Sequence, residues 1–142
     1  MLSIELPKDK KIYFASDNHL GAPTAAESKP REAKFVQWLN TIKADAGAIF
    51  LLGDLFDFWF EYKTVVPKGF VRTLGKLAEL RDSGIPIYFF VGNHDLWMDD
   101  YFQTELGIPV YRRPLEVECA GKRFLIGHGD GLGPGDKGYK RM

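Results

Sequence analysis

Four short blocks hold the side chains best suited to chemistry: Asp17-Asn18-His19, Gly53-Asp54-Leu55-Phe56-Asp57, Gly92-Asn93-His94-Asp95 and Gly127-His128-Gly129-Asp130. The chain has three histidines, and all of them fall inside these blocks. Carboxylates and imidazoles together offer mixed oxygen and nitrogen donors, a set that suits Mn, Fe or Zn better than Ca or Mg. Asp17 and His19 alternate, so along an extended segment both side chains point to one side. Asp54 adds a carboxylate whose two oxygens can bridge two cations. Asn93 adds a neutral carbonyl oxygen and His128 a second imidazole. Two cations about 3.5–4 Å apart would clamp a phosphate and acidify a water between them. Gly53, Gly92 and Gly127 permit tight turns and close backbone approach beside such a site.

Something must bring these blocks together, and each follows an apolar run. Residues 11–15, 48–52, 85–91 and 123–126 read as strands, the second and third being continuous runs of the kind buried on both faces. Residues 17–29 read as a loop. The spacing of Phe35, Trp38, Leu39 and Ile42 predicts a helix over 30–43, with Pro30 in its first turn. Phe70, Leu74, Leu77, Ala78 and Arg81 predict a second helix over 67–83, stopped at Gly84. A short helix over 99–106 is stopped by Gly107. Residues 115–119 and 123–126 flank the turn Ala120-Gly121-Lys122 as a hairpin. The order β-α-β-α-β implies parallel strands with helical crossovers. Loops at the ends of such strands are where an α/β protein gathers ligands and catalytic groups.

Composition bounds the reading. The 142 residues suit one domain, 1–142, and 45% hydrophobic with 27% charged residues is a globular composition. Nineteen basic residues balance nineteen acidic ones, so there is no global attraction to nucleic acid and any anion binding is local. The single cysteine, Cys119, has no internal disulfide partner, which points to a reduced, cytoplasmic setting. The first residues lack the basic and apolar segments of a signal peptide, and no apolar run nears the roughly 20 residues that span a bilayer.

The ordered blocks resemble the calcineurin-like metallophosphoesterase superfamily. Its pattern runs Asp-x-His, Gly-Asp-x-x-Asp, Gly-Asn-His-Asp/Glu, Gly-His and Gly-His-x-His, and the first four stand here in order. The resemblance implies an α/β metallophosphoesterase-type β-sandwich with flanking helices, four layers αββα. It implies two divalent metal ions, manganese foremost with Fe, Zn or Mg as alternatives. Asp17, His19 and Asp54 would hold one, and Asp54, Asn93 and His128 the other. Asn93 would also touch substrate. His94 would contact the phosphate and stabilise or protonate the leaving oxygen, with Asp95 orienting it. No histidine follows His128, so the fifth block and one ligand to each metal are missing. The C-terminal part of the sandwich is therefore expected to be incomplete, the chain alone to bind metal weakly and to be inactive, and its uncovered side prone to self-association.

Residues 52–60 and 128–139 are similar to one family within it, the UDP-2,3-diacylglucosamine hydrolases. These cut the pyrophosphate of a nucleotide-sugar lipid in lipid A synthesis, giving UMP and 2,3-diacylglucosamine 1-phosphate. That resemblance implies a substrate contact at Asp136 and a peripheral position on the inner membrane.

Each residue also has a plainer reading. Asp17 and His19 could be loop polars, Asp54 a helix cap, Asn93 a turn residue and His94 a structural histidine. The ordered set of four blocks outweighs these readings taken singly. Asp57 is expected to support the loop or the site. Asp130 and Asp136 could cap helices. Lys137, Lys140 and Arg141 form a small basic end, either solvated or facing phosphates. The aromatic run Phe56-Asp57-Phe58-Trp59-Phe60 is weighed evenly between core and an apolar groove beside the site. A groove would favour a lipid substrate, and a polar cleft a general phosphodiesterase or phosphatase. A fold that has lost its chemistry, a non-catalytic metal-binding scaffold, is the alternative from another class.

Overall fold

Continuous apolar runs take the centre of the structure because a parallel strand is covered on both faces. The computed structural model describes residues 1–129. In chain order the elements are β1 (Leu2–Ile4), β2 (Lys11–Ala15), α1 (Ala25–Ile42), β3 (Ala46–Leu51) and α2 (Val71–Asp82). They continue with β4 (Ile87–Phe90), α3 (Tyr101–Leu106), β5 (Val110–Tyr111), β6 (Leu115–Cys119) and β7 (Lys122–Ile126). Strands β2-β3-β4-β5 form one sheet, parallel throughout, with the helices as crossovers. A second sheet runs β1-β6-β7.

Alternation along the strands builds two cores. Ile49, Leu51, Ile87 and Phe89 pack with Phe35, Leu39, Leu77, Leu80 and Phe102 of the helices. Ala48, Phe50 and Phe90 point the other way and pack with Ile4, Val117, Cys119 and Ile126 of the second sheet. Among the described residues the layers are helix, four-stranded sheet and three-stranded sheet, three of the four expected. No described helix is long and apolar enough to cross a membrane.

Local chemistry moves several boundaries. Helix α1 starts well before residue 30 because Thr24 Oγ1 accepts the Glu27 N–H at 3.1 Å, an N-cap that satisfies a free donor. Pro30 therefore lies inside the helix, on its exposed side. Helix α2 starts later than residue 67, after Gly69 at φ 103. Gly84 (φ 93) and Gly107 (φ 66) end α2 and α3 in the left-handed conformation, as their positions predict. Ala120 (φ 53) and Gly121 (φ 76) form the two-residue turn between β6 and β7. Strands β1 and β5 were not expected. Each is short, and β1 exists only by pairing with distant β6, Leu2 opposite Val117.

The aromatic run divides. Phe56 and Trp59 are fully buried, whereas Phe58 is 61% and Phe60 47% exposed. Phe56 and Trp59 are core, as one reading has it, and Phe58 and Phe60 face outward.

Candidate metal centre

Backbone hydrogen bonds carry the β2–β3 pairing past the strand ends and draw two motif loops together. The Asp17 N–H donates to Gly53 O (3.1 Å), His19 N–H to Asp54 O (2.9 Å) and Leu20 N–H to Leu55 O (2.9 Å). In return the Asp57 N–H donates to Leu20 O at 2.9 Å. Asp17, His19 and Asp54 have φ of 58, 48 and 52. The segment is thus not extended, as alternation had suggested. It turns tightly through the left-handed region, which side chains other than glycine rarely enter. Asp17 and His19 still converge, but by a turn held in place by its neighbour loop.

Asp54 is the hub. Its side chain is buried, and its Oδ1 accepts the His94 backbone N–H at 2.8 Å. Its Oδ2 lies 3.7 Å from His19 Nε2 and 3.4 Å from His128 Nε2. His19 Nε2 is also 3.8 Å from Asp17 Oδ1. These separations are long for hydrogen bonds. They match donors that share one cation, since two atoms bound at about 2.1 Å in a tetrahedral shell lie about 3.4 Å apart. Ligand atoms of Asp17, Asp54 and His128 lie within 4.8 Å of one another, and so do those of His19, Asp54 and His94. Asp54 belongs to both groups, and it is one oxygen, Oδ2, that faces both imidazoles.

The histidines are held by their other nitrogen. His128 Nδ1 is 2.6 Å from Leu52 O, and His19 Nδ1 is 3.3 Å from Asp57 Oδ1. A proton on Nδ1, held by such an oxygen, leaves the Nε2 lone pair for a metal. The donors suit divalent cations and fall in two overlapping groups, Asp17 with His128 and His19 with His94, Asp54 being common to both, rather than in the Asp17–His19 pairing that the resemblance implies.

His94 stacks edge-on against His19, with ring centroids 4.6 Å apart. Its partner differs from the one expected. Asp95 does not orient it. Asp95 is fully buried, and its oxygens accept backbone N–H groups from Gly92 (2.7 Å), Leu55 (3.0 Å) and Asp54 (3.2 Å). Burial pushes its carboxyl above its ordinary value, against the Gly92, Asp54 and Phe56 N–H groups, which pull it down. The group beside His94 Nδ1 is Asp57, through its carbonyl at 2.9 Å and its Oδ1 at 3.4 Å. Asp57 thus touches both His19 and His94. The sequence held the signal, since Asp57 is the second carboxylate of Gly-Asp-x-x-Asp, but not the direction in which it points. Asp95 instead ties the loop after β4 to the loop after β3.

Two glycines are required by contact. A Cβ at Gly92 would meet Asp54 Oδ1 at 2.2 Å, and one at Gly53 would meet His128 Nδ1 at 2.7 Å. Gly53 also has φ 91. Asn93 is exposed beside the cluster, and among the described residues no hydrogen bond of its amide links it to the other donors. Asp130, Asp136, Lys137, Lys140 and Arg141 lie outside the described residues.

A sequence model described as calcineurin-like phosphoesterase matches residues 10–138. A UDP-2,3-diacylglucosamine hydrolase of Porphyromonas gingivalis is 51% identical over 120 residues, 84% of this chain and 46% of its own length. One from Histophilus somni is 33% identical over 134 residues, 93% of this chain and 54% of its own length. The chain spans about half the length of the curated relatives it matches. A crystal structure of a protein of unknown function from Aquifex aeolicus superposes with a TM-score of 0.58 at 22% identity, covering 92% of this chain and 66% of that one. At that identity the likeness concerns the fold.

Proposed function

The chain belongs to the calcineurin-like phosphoesterase family, and from that premise we propose that it is a metal-dependent hydrolase of UDP-2,3-diacylglucosamine. By the resemblance of residues 52–60 and 128–139, the reaction would give UMP and 2,3-diacylglucosamine 1-phosphate. The observation that carries the reading is Asp54 Oδ2 between the Nε2 atoms of His19 and His128. Asp17, His19, Asp54, Asn93 and His128 hold two divalent ions in this reading, manganese being the first choice. When bound, the ions supply positive charge to the phosphate oxygens and acidify water.

The chain's own residues do the rest. Asp54, buried and pinned at Oδ1, keeps the two halves of the site at one spacing. His94, held by Asp57, offers its remaining nitrogen to a phosphate or to the leaving oxygen, and Asn93 offers its amide. Asp136 is assigned to the sugar by resemblance alone.

The lipid part of the substrate is supported by the residues that follow Asp57 and His94 in the chain. Phe58, Phe60, Tyr62, Val65 and Trp97 are exposed, with the Phe60 and Trp97 rings 6.2 Å apart. An exposed apolar patch of this kind marks a surface that meets lipid or protein. It favours a lipid substrate over a general phosphodiester. A cytoplasmic enzyme resting on the inner membrane, acting as one domain, goes with this reading. Self-association belongs to it as well, through β7, where Phe124 and Leu125 are exposed.

Phosphorus NMR of the natural protein with Mn²⁺ and UDP-2,3-diacylglucosamine tests the proposal. The pyrophosphate signals should give way to two phosphomonoester signals. Hydrolysis of bis(p-nitrophenyl) phosphate with the lipid left intact would point to a general phosphodiesterase. Metal binding without hydrolysis of either would leave a scaffold.

A further inference from the structure

Helix α1 reaches over the loop that carries Asp17 and His19, and it does so with Arg31. Its Nη1 donates to Asn18 O at 2.9 Å and its Nη2 to His19 O at 3.0 Å, and Nη2 also donates to Ala22 O. One turn earlier on the helix, buried Ser28 accepts the Gly21 N–H on its Oγ at 2.7 Å. The helix is a firm base for this grip, since Phe35, Leu39 and Ile42 anchor it in the core. The loop needs such a grip. Asp17 and His19 both sit at positive φ, a conformation that persists only where the surroundings over-determine it. The β3 side supplies half of the hold, through the Gly53, Asp54 and Leu55 carbonyls. Helix α1 supplies the other half.

We propose that Arg31 is a positioning residue for the metal-binding arm Asp17–His19, fixing its backbone from the α1 side with Ser28 as a second point. A surface arginine near a phosphate site is more simply read as a substrate cation. Here both terminal nitrogens already serve backbone carbonyls, so its action runs through the loop. The rigid, forked guanidinium suits this task, because it spans separate acceptors that a lysine ammonium, a point donor, does not. The inference takes its ligand from the metal reading above, and the test separates the two.

The test measures Mn²⁺ binding by calorimetry and backbone amide exchange in the whole chain, for wild type, Arg31→Ala, Arg31→Lys and Ser28→Ala, and again in a His19→Ala background. Groups that orient metal ligands typically contribute about 10–100-fold in affinity. Arg31→Ala should therefore weaken Mn²⁺ about tenfold or more, and Arg31→Lys should restore little of it. In the His19→Ala background the same change should have a smaller effect, since only Asp17 of the arm is left to position. Exchange should speed up at His19, Leu20 and Gly21 and stay as it was in β3 and β4. Affinity within twofold of wild type together with unchanged exchange at His19 to Gly21 would overturn the proposal. So would an equal loss of affinity with and without His19. If the wild type binds no Mn²⁺, the metal reading fails and amide exchange alone decides the role of Arg31. If Arg31→Ala does not fold, Arg31→Lys and Ser28→Ala carry the same comparison.

Discussion

A methyl group added at Gly92 would stand 2.2 Å from Asp54 Oδ1, 2.6 Å from the Asp54 nitrogen and 2.8 Å from its carboxyl carbon. Carbon and oxygen in contact prefer roughly 3.5 Å, so the overlap is about 1 Å or more. The far end of a flexible side chain could swing aside, but Asp54 cannot. Its nitrogen donates to buried Asp95, its φ is already 52, and its Oδ1 is held by the His94 N–H at 2.8 Å. Relief must come from breaking that bond or from parting the loops after β3 and β4. Overpacking costs about 1–3 kcal/mol. Losing a hydrogen bond to a charged group adds about 1.5–3 kcal/mol. Gly92→Ala should therefore destabilise by about 3–5 kcal/mol, a large part of the roughly 5–15 kcal/mol available to a folded domain. At about 3 °C per kcal/mol for a chain of this size, the melting temperature should fall about 10 °C or more. Because Asp54 Oδ2 moves with its carboxylate, Mn²⁺ affinity should fall by at least about tenfold. Gly75→Ala is the control. It lies inside α2 with open space around its would-be Cβ, and alanine there should stabilise by up to about 1 kcal/mol. The assays are thermal unfolding by circular dichroism and calorimetry with Mn²⁺. A Gly92→Ala protein that melts and binds Mn²⁺ like wild type would refute the contact reasoning.

Further outcomes follow from the same geometry. Asp54→Ala should abolish Mn²⁺ binding at both positions, because one oxygen faces both imidazoles; calorimetry showing one site intact would remove Asp54 from the bridge. His94→Ala in the natural protein should lower turnover about 10²–10⁴-fold, the usual range for an acid–base group, with metal content by plasma emission near wild type. Metal lost in parallel with turnover would make His94 a ligand, a role its spacing to His19 and Asp54 also permits. In the middle of β2, the Tyr13 hydroxyl donates to Asp45 Oδ1 at 2.6 Å and, with Lys11, holds that carboxyl below its ordinary value despite desolvation. A carboxyl with a depressed folded pKa stabilises above its unfolded value of 3.8 and loses that contribution as pH falls through the folded value. Tyr13→Phe should therefore flatten the stability curve below that point in acid titrations, and an identical curve would sink the linkage.

The sequence by itself determined the parallel β-α-β-α-β core and the identity of the site blocks. Buried strands leave continuous apolar runs, and glycines that must adopt positive φ leave a residue type, as Gly84 and Gly107 show. It also implied that the loops after β2, β3 and β4 meet, because parallel strands place their C-terminal loops at one end of the sheet; the loop after β7, with His128, comes from the other sheet. Strand β1 was illegible, since three residues carry no period and pair only with β6, more than a hundred positions away. Placing Pro30 in the first turn misses the start of α1, which the Thr24 cap sets. At the site, the resemblance puts Asp95 beside His94 and leaves Asp57 a supporting role. Only tertiary structure decided that Asp95 is buried against backbone N–H groups while Asp57 faces His19 and His94. The reason is physical. A strand's period fixes the face on which a side chain lies, but in a tight left-handed turn its direction is set by hydrogen bonds from other loops. Those partners, among them Leu52 O for His128 and Arg31 for the Asp17–His19 arm, are neighbours in space and not in sequence.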